Sequence, residues 1–468
     1  MGKKVCLILF VMLMISLMSF VSLNAIPQCS SGDRNCKVNN AYTCLEGKVG
    51  NCTTLASAED KLFSLLALGK CEQQILNEVN LSSASTENYA TANYGDNLKH
   101  TSLAILGLSG DRDTSSAEAW LLSQNTTYTD LTWYLQIETN NVANCVITYN
   151  TSETSYVSTD YPIIIGSDKT INQDAGSCLT RAAGNYWLQV ASSCYGDEFE
   201  ISCDDDFATS LLYKKTGTDI LYVSETTGTG AAGQSATEKV NSLCFQQGGS
   251  CNYEGSLWAS WALDANNDIS PFLPYLITNK DSNPSLLPEA FLYHLIGDYQ
   301  SELLGKQKEN KFWELTTGSI YYDTALALLP FKPDTLTQKT NSENWLLSNT
   351  VQRSDGCWGT GTGSPKDTAF ILYSIFPERF ATPPGPTPPP PVNGSTGPVD
   401  CENAGFYCSS SYTCSQTDGE ILSSDSYNCG PGFVCCTEQL TLETCSEKGG
   451  EICSSNQDCV AGGTVTAS

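Results

Sequence analysis

The sequence of 468 residues predicts a multi-domain, mainly α protein: a helical body carries an inserted β-sandwich and is followed by small disulfide-rich modules. Three observations predict this fold class. In 56–130 and 235–378, apolar residues recur three and four positions apart, the period of an amphipathic helix. In 131–228, short β-branched and aromatic runs alternate with turn residues, as sandwich strands do. The tail joins a proline-rich segment to closely spaced cysteines.

The first 25 residues have the composition of a secretory signal peptide. Lys3 and Lys4 precede the apolar run Val5–Val21, and Ala25 supplies a small residue for cleavage. An uncleaved membrane anchor is the alternative, for which the apolar run is short. We therefore expect a secreted, extracellular protein or one attached to the cell surface, with no membrane insertion after removal of residues 1–25.

Cysteine is abundant along the chain, and its 22 copies predict an oxidising compartment, because reducing thiol pools do not let disulfides persist. A cysteine-rich N-terminal segment covers residues 26–55. Candidate disulfide cysteines further along are Cys145, Cys178, Cys194 and Cys203 in the β insert, Cys251 and Cys357 in helical turns, and Cys401, Cys408, Cys414, Cys429, Cys435 and Cys436 in the tail.

The tail begins with a proline-rich linker, residues 381–400, which proline holds extended. A six-cysteine module follows at 401–436, and a partial second copy with three cysteines occupies 445–468. The odd number of cysteines left after Cys6 is removed indicates either a fragment or a thiol that pairs in another chain. Such small modules need disulfides to fold. A zinc site is the competing interpretation, but histidine and paired C-x-x-C spacing are missing.

The formal net charge of −27 repels phosphate backbones and anionic lipids. No basic stripe with interleaved aromatic residues is present, so nucleic acid is excluded as a partner. We expect an extracellular protein or a glycan as the ligand. Surface glycosylation is compatible with five Asn-x-Ser/Thr triplets, which start at Asn51, Asn80, Asn125, Asn150 and Asn393.

Two segments of the helical regions are similar to each other: WLLSQNTTYTDLTWY at 120–134 and WLLSNTVQRSDGCWG at 345–359. A shorter relative, QQGGSCNYEGSLWASWAL, lies at 246–263. A helix pair repeated in this way cannot bury its own apolar face, so it must stack on its neighbours. The shared repeat-turn positions are Trp120, Asp130 and Trp133 in the first segment and Trp345, Asp355 and Trp358 in the second.

The second segment resembles the repeat of the terpenoid cyclase and protein prenyltransferase superfamily, which includes prenyltransferase and squalene-oxidase-type repeats. Its units are similar to Q-x-x-D-G-x-W followed by D-T-A, and the matching residues here are Gln352, Asp355, Gly356, Trp358, Asp367, Thr368 and Ala369. The resemblance implies an α/α toroid of helical hairpins, tied together through the Gln, Asp and Trp of each turn. Because that superfamily contains binding proteins as well as enzymes, we expect a non-catalytic secreted member.

The turn Asp355-Gly356-Cys357 is similar to the zinc-binding Asp-x-Cys of protein prenyltransferase β subunits. That site needs a histidine further along the chain, whereas His100 and His294 are both upstream. A catalytic zinc normally has three protein ligands. We therefore expect no metal and no cofactor, and we expect Cys357 to form a disulfide.

The segment Gly69-Lys70-Cys71-Glu72-Gln73-Gln74 resembles the thioester sequence of complement-like proteins. Cys71 and Gln74 keep the separation that lets thiol and carboxamide condense, although Glu72 replaces a glycine. The resemblance implies covalent capture of targets. An ordinary disulfide at Cys71 is the alternative.

Catalytic residues are not identified by the sequence. Asp323 and Asp367 recur at helix starts, where capping is the simpler role, and together with Asp355 and Trp358 they are the candidate binding residues. We expect a binding or adhesion protein whose ligand surface is the centre of the toroid or the β insert. The alternative is a secreted polysaccharide hydrolase or lyase that uses acidic residues in the cavity. An enzyme would gather two or more carboxyl groups with raised pKa in one cleft.

Overall fold

A computed structural model describes residues 29–30, 33–55, 57–78, 93–110, 112–150, 158–315, 319–332 and 336–377 of the chain. In the tail it describes 399–401, 406–409, 421–422, 427–429 and 434–437. The predicted signal peptide 1–25, linker residues 381–398, Cys414 and the partial module 445–468 lie outside these ranges.

The described residues contain twelve α-helices. They are α1 Arg34–Val49, α2 Ala58–Leu68, α3 Glu72–Glu78, α4 Leu98–Leu108, α5 Ser115–Ser123, α6 Tyr253–Leu263, α7 Leu273–Thr278, α8 Pro288–Ile296, α9 Gln300–Gly305, α10 Ile320–Leu328, α11 Thr337–Leu346 and α12 Pro365–Ser374. Short 3-10 helices lie at Ala183–Asn185, Ser192–Cys194, Ser270–Phe272, Lys280–Ser282, Pro284–Leu286 and Leu329–Phe331.

The strands are concentrated between α5 and α6. They are β1 Asn125–Thr127, β2 Leu131–Thr139, β3 Ala143–Asn150, β4 Ser158–Ile165, β5 Leu179–Ala182, β6 Trp187–Val190, β7 Glu198–Cys203, β8 Phe207–Lys215, β9 Tyr222–Gly230, β10 Ser235–Lys239, β11 Leu243–Gln247 and β12 Ser250–Cys251. The tail adds β13 Val399–Asp400, β14 Tyr407–Ser409, β15 Ile421–Leu422, β16 Tyr427–Asn428 and β17 Val434–Cys436.

The predicted fold class, a mainly α chain, is wrong. Helices hold 41% of the described residues, strands hold 25%, and several antiparallel sheets are present, so the chain is mixed α and β. Strand structure also passes the predicted boundary at residue 228, because β10 pairs with β7. In β10 every second residue is buried, and one of these is Glu238, a charged residue that hides the strand pattern in the sequence.

Six helices contact one another in a closed cycle. The order is α2, α4, α6, α8, α10, α12 and back to α2, so each member has a neighbour on both sides. This explains the composition of α6, in which every residue except Glu254 is buried. A helix that is apolar on nearly all sides needs partners on all sides.

Aromatic side chains fill the middle of this ring. Phe63 from α2 lies 4.6 Å from Phe370 of α12, 5.9 Å from Tyr322 of α10 and 6.5 Å from Trp258 of α6, measured between ring centroids. Trp258 and Phe370 are 6.3 Å apart. Because helices that are not neighbours meet here, this level of the ring is a packed core rather than an open cavity.

A repeated hydrogen bond ties the segment before a ring helix to that helix. At four places a backbone N–H donates to a hydroxyl oxygen in the helix that follows: Tyr94 to Thr101 at 3.0 Å, Phe245 to Ser256 at 3.1 Å, Trp313 to Thr324 at 3.1 Å and Trp358 to Thr368 at 3.0 Å. All four hydroxyl residues are buried. Each bond therefore satisfies a backbone group that would otherwise be costly inside the protein.

Two tryptophans complete this tie through their indole nitrogens. Trp358 donates to the carbonyl of Leu346 at 2.9 Å, and Trp313 donates to the carbonyl of Leu303 at 2.8 Å. The residue equivalent to Trp358 is thus Trp313. Trp133, which the sequence comparison aligned with Trp358, lies in β2 and packs on Tyr213 in the sandwich.

The β-sandwich consists of two antiparallel sheets. One has the strand order β5-β6-β2-β8-β9, and the other has the order β10-β7-β3-β4. Alternate residues such as Leu135, Ile147, Ile201 and Leu211 form the core between them. The insert leaves and re-enters the helical body at one place, because β1 before it pairs with β11 after it.

The prediction of a disulfide-bonded, cysteine-rich chain is confirmed. The pairs are Cys29–Cys36, Cys44–Cys357, Cys52–Cys71, Cys145–Cys203, Cys178–Cys194, Cys244–Cys251, Cys401–Cys435 and Cys408–Cys429. Cys436 is disulfide-bonded as well.

Helix α1 closes the ring by binding the turn before α12. Cys44 is bonded to Cys357 of that turn, and the Gln352 amide donates to the carbonyl of Lys37 at 3.0 Å. Gly356 has a φ of 88°, and an added Cβ there would lie 2.5 Å from the Asn40 carbonyl oxygen. Only glycine allows this turn to approach the α1 backbone so closely.

The Cys44–Cys357 disulfide should contribute more stability than a local one because it spans 313 residues. Changing both cysteines to alanine should lower the free energy of unfolding by about 5 kcal/mol, through the entropy that the unfolded chain regains. The matched control removes Cys244–Cys251, which spans 7 residues and should cost about 2 kcal/mol. Urea unfolding without reductant measures the stability lost in each variant. Equal losses would contradict the role of Cys44–Cys357 in closing the ring.

Thr368→Val keeps the shape of a fully buried residue but removes its hydroxyl. That hydroxyl accepts from the Trp358 N–H at 3.0 Å and donates to the Trp358 carbonyl at 3.1 Å. The carbonyl also accepts from the Ser364 N–H at 2.9 Å, so the variant would leave the buried Trp358 N–H unsatisfied. We expect a loss of about 2 kcal/mol in urea unfolding. Thr368→Ser keeps the hydroxyl and should lose clearly less; an equal loss in both variants would assign the effect to packing.

Candidate functional site

A charged network occupies the end of the ring at which helices α2, α4, α6 and α12 begin. Lys99 of α4 binds Glu59 of α2 at 2.7 Å and Glu254 of α6 at 2.8 Å, and Lys366 of α12 binds Glu59 at 2.9 Å. All four residues lie in the first turn of their helices, where the helix dipole favours the two glutamates. The network therefore joins four of the six ring helices.

The charged side chains of this network are paired with one another. Burial alone would raise the pKa of Glu59, but the Lys99 and Lys366 ammonium groups outweigh it and hold the pKa at about 2. The same ammonium groups lie 5.4 Å and 5.0 Å from the centre of the Tyr322 ring. Burial also raises the pKa of that phenol, so it stays neutral. A carboxylate with such a low pKa is a poor proton donor near neutral pH.

The candidate residues Asp323 and Asp367 are both buried near this end. Burial raises the pKa of Asp323 to about 6, and it raises the pKa of Asp367 as well. Asp323 accepts from the Leu315 N–H at 2.8 Å, and Asp367 accepts from the Ser319 hydroxyl at 3.0 Å. With exposures of 2% and 6%, these carboxyl groups hold loops in place instead of lining a cleft.

The candidates Asp355 and Trp358 stabilise the turn before α12, which binds α1. Asp355 accepts from the Cys357 N–H at 3.2 Å and pairs with Arg353 at 3.3 Å, while Trp358 is fully buried. Asp355 lies close to the sulfurs of Cys44 and Cys357, as a metal site would require. These sulfurs are bonded to each other, and a disulfide lacks the thiolate that binds zinc.

Cys71 and Gln74, the predicted thioester pair, have other partners. Cys71 is bonded to Cys52, so its sulfur has no thiol to condense with a carboxamide. The Gln74 amide donates to the carbonyl of Asn51 at 3.1 Å. In this structure Cys71 fixes the chain between α1 and α3.

The remaining repeat-turn candidates do not meet in one place. Trp120 is buried in α5, and Asp130 is exposed in the connection from β1 to β2. Trp345, at the end of α11, is half-buried and lies 5.0 Å from Phe312 between ring centroids. Their spacing in the sequence therefore reflects two different structural contexts.

A cleft of about 230 Å³ lies between the β-sandwich and the helical body. The sandwich supplies one wall with Trp133, Tyr213, Tyr222, Val223, Ser224, Lys239 and Asn241. The helical body supplies the other wall with Ser270, Leu273, Pro274, Ile277, Ile296, Asp298 and Tyr299. We call it the junction cleft. It combines aromatic and aliphatic walls with polar side chains, the usual make-up of a ligand site.

The aromatic wall of the junction cleft is an ordered stack. The ring centroids of Trp133 and Tyr213 are 4.7 Å apart, and those of Tyr213 and Tyr222 are 5.5 Å apart with nearly parallel planes. Trp133 and Tyr213 are only 1% and 3% exposed, whereas Tyr222 is half-buried. Tyr222 is thus the member of the stack that a ligand can reach.

The opposite wall holds a residue in an unusual backbone conformation. Tyr299 has a φ of 72°, the left-handed region that tyrosine rarely adopts, and its N–H donates to Asp298 at 2.7 Å. The Lys280 ammonium lies 5.1 Å from the centre of its ring. Such backbone strain costs about 1–3 kcal/mol and is concentrated at functional sites.

Sequence reasoning missed the junction cleft. Its walls come from β2, β8, β9, the connection after β10, and the segments around α7 and α8, which are far apart in the chain. The tyrosines of β8 and β9 read as ordinary strand residues. The tyrosines that recur near the end of the insert could have pointed to the cleft. The sequence does not show, however, that the insert folds back onto the helical body.

Comparisons with protein-family models, with curated proteins and with solved structures find no match to this chain. Within the described ranges, none of the helices has both the length and the apolar composition needed to cross a membrane. The functional interpretation therefore depends on the geometry of the chain itself.

The raised pKa of Asp323 predicts a pH-dependent stability. Its folded pKa of about 6 exceeds its ordinary value of 3.8, so the protonated form favours folding, and this contribution is lost as pH rises through 6. Asp323→Asn keeps an oxygen that accepts from the Leu315 N–H but cannot ionise. Relative to this variant, the wild type should lose on the order of 2 kcal/mol between about pH 4 and 7.

Urea unfolding at several pH values measures the difference between wild type and Asp323→Asn. The control is Asp219→Asn, which changes an exposed aspartate and should follow the wild type at every pH. A constant difference between wild type and Asp323→Asn across the pH range would show that the Asp323 carboxyl does not titrate in the folded protein.

Proposed function

We propose that this chain is a secreted or cell-surface binding or adhesion protein, and that the junction cleft holds its ligand. The observation that supports this most strongly is the make-up of the cleft. A preformed aromatic stack faces a mainly aliphatic wall across a space of about 230 Å³, and polar side chains also line this space. Walls already fixed by packing reduce the entropy lost when a ligand binds.

The position of the acidic groups favours binding over polysaccharide hydrolysis or elimination. The carboxyl groups with raised pKa that the sequence singled out, Asp323 and Asp367, are buried and used by loops. Among the residues that line the junction cleft, Asp298 is the acidic one. Glycoside hydrolysis commonly requires a pair of carboxyl groups on either side of the scissile bond.

Secretion is supported by two independent features. Residues 1–25 have the composition of a signal peptide, and eight disulfide pairs connect described residues of the body and tail. The proline-rich linker 381–400 would hold the body away from the cysteine modules as a semi-rigid spacer. Display on such a spacer sets the reach of an adhesive protein.

We also propose distant kinship with the terpenoid cyclase and prenyltransferase superfamily, as a non-catalytic member. Gln352, Trp358 and Thr368 match its repeat and make the ties between a turn, its own helix and α1. The closed cycle of six helices supports the same kinship. The aromatic side chains of Phe63, Trp258, Tyr322 and Phe370 fill the middle of the ring at one level, which leaves no room there for a prenyl chain.

The proposed function predicts binding without turnover. The purified full chain, without residues 1–25, should bind saturably and reversibly to one or more members of an immobilised panel of extracellular polysaccharides and surface proteins. The bound material should be recovered with unchanged chain length, and no reducing ends or unsaturated sugars should form. Surface plasmon resonance and a reducing-end assay on the same samples measure this.

The control for that experiment is the same chain after reduction and alkylation, which should lose binding because the disulfides Cys145–Cys203 and Cys178–Cys194 hold the sandwich that forms one wall of the cleft. Cleavage of a bound polysaccharide would replace the proposal with the hydrolase or lyase alternative. Failure to bind any member of the panel would contradict an adhesive role.

A further inference from the structure

The junction cleft indicates what chemical class of ligand it takes, and this inference deepens the proposed function and rests on it. Its volume of about 230 Å³ is below the roughly 300–1,000 Å³ of sites for drug-sized molecules. A site of this size encloses a single ring, and the rest of a longer ligand would continue outside.

The aromatic wall favours a ligand with a flat apolar face. Trp133 and Tyr213 hold Tyr222 in a fixed orientation by stacking, and Val223 beside it is 60% exposed. On the other side, the floor is made by Leu273, Ile277 and other buried aliphatic residues. Burial also raises the pKa of Tyr222, so its phenol stays neutral and can both donate and accept hydrogen bonds.

The rim of the cleft favours a ligand that also carries several hydroxyl groups. Asn241 and Ser270 offer amide and hydroxyl groups that donate and accept. An aliphatic or aromatic side chain from a protein partner would desolvate these groups without replacing their hydrogen bonds, which is costly. A sugar ring matches both the aromatic wall and the polar rim, because its C–H face is apolar while its edge carries hydroxyl groups.

The charges around the cleft favour a neutral sugar over an acidic one. Lys239 and Asp298 line the rim with opposite signs, so they give no net attraction for either charge. The chain as a whole carries −27 and therefore repels uronates and sialylated or sulfated glycans. Lys280, near Tyr299, is already paired with Glu302 at 2.7 Å and with Asp281 at 3.0 Å.

We propose that the junction cleft binds one pyranose-sized ring of a neutral extracellular glycan, stacked on Tyr222 and hydrogen-bonded to Asn241 at the rim. The ligand would enter as a terminal or looped-out unit of a longer chain. Tyr299 would close the opposite face, which gives a reason for its unusual backbone conformation.

The test is calorimetric titration of the intact secreted chain with neutral oligosaccharides built from glucose, galactose, mannose and their N-acetylated forms. A uronate oligosaccharide is titrated in parallel. We expect saturable binding of at least one neutral series and no measurable binding of the uronate. Preference for the uronate, or binding of none of the neutral series, would overturn the proposal.

Variants locate the binding. Tyr222→Ala should weaken the affinity about tenfold or more, because a stacked ring face contributes on the order of 1.4 kcal/mol. Tyr222→Phe should stay close to wild type, since it keeps the face. Asn241→Ala changes an exposed residue without threatening the sandwich core and should also weaken binding. Thermal unfolding of each variant separates lost binding from lost folding.

The matched control is Tyr186→Ala, which removes a 49% exposed tyrosine in the connection between β5 and β6, at the opposite side of the same sheet from β9. It should bind like wild type. If Tyr222→Ala and Asn241→Ala also bind like wild type, the glycan site is not the junction cleft, although an adhesive function stands. If a surface protein binds and the Tyr222→Ala change abolishes that binding while no glycan competes, the cleft takes a peptide and the glycan proposal is wrong.

Discussion

The closure of the helical ring is the constraint on which the rest of the structure depends. Helices α2 and α12 are separated by nearly 300 residues, yet they pack against each other, because α12 is buried over most of its length and Phe63 of α2 contacts its Phe370. The Glu59–Lys366 ion pair, the Cys44–Cys357 disulfide and the approach of Gly356 to α1 all act at this seam. Loss of the seam would expose the aromatic centre formed by Phe63 and its neighbours.

Closure also determines where the β-sandwich can lie. Its two ends leave the helical body through the paired strands β1 and β11, so the insert interrupts the ring without opening it. The end of the sandwich then packs against α7 and the residues after α8. The junction cleft is a consequence of this attachment, since it forms where two separately packed cores meet.

Charge is distributed differently at the end of the helical ring and at the junction cleft. At the end of the ring, lysines and glutamates neutralise each other in a partly buried network, which lowers the pKa of Glu59 and aligns the helix starts. At the junction cleft, aromatic and aliphatic side chains predominate, and Lys280 near Tyr299 is already paired with Glu302. The first arrangement holds helices together, and the second leaves groups available for a neutral ligand.

The sequence alone determined the disulfide-bonded character of the chain and the turn before α12, because both depend on residues that are close together in the chain. Cysteine content predicted the disulfides, and the residues around Gln352, Trp358 and Thr368 predicted a repeated turn whose ties span few positions. The match of Trp133 to Trp358 failed because a tryptophan in a short strand and one in a helical turn have similar neighbours. The extent of strand structure beyond residue 228 was underestimated because buried Glu238 disguised strand β10. Tertiary structure alone decided which helices meet at the seam and that Tyr222, Asn241 and Tyr299 face one cleft, since long-range packing leaves no periodic pattern in the chain.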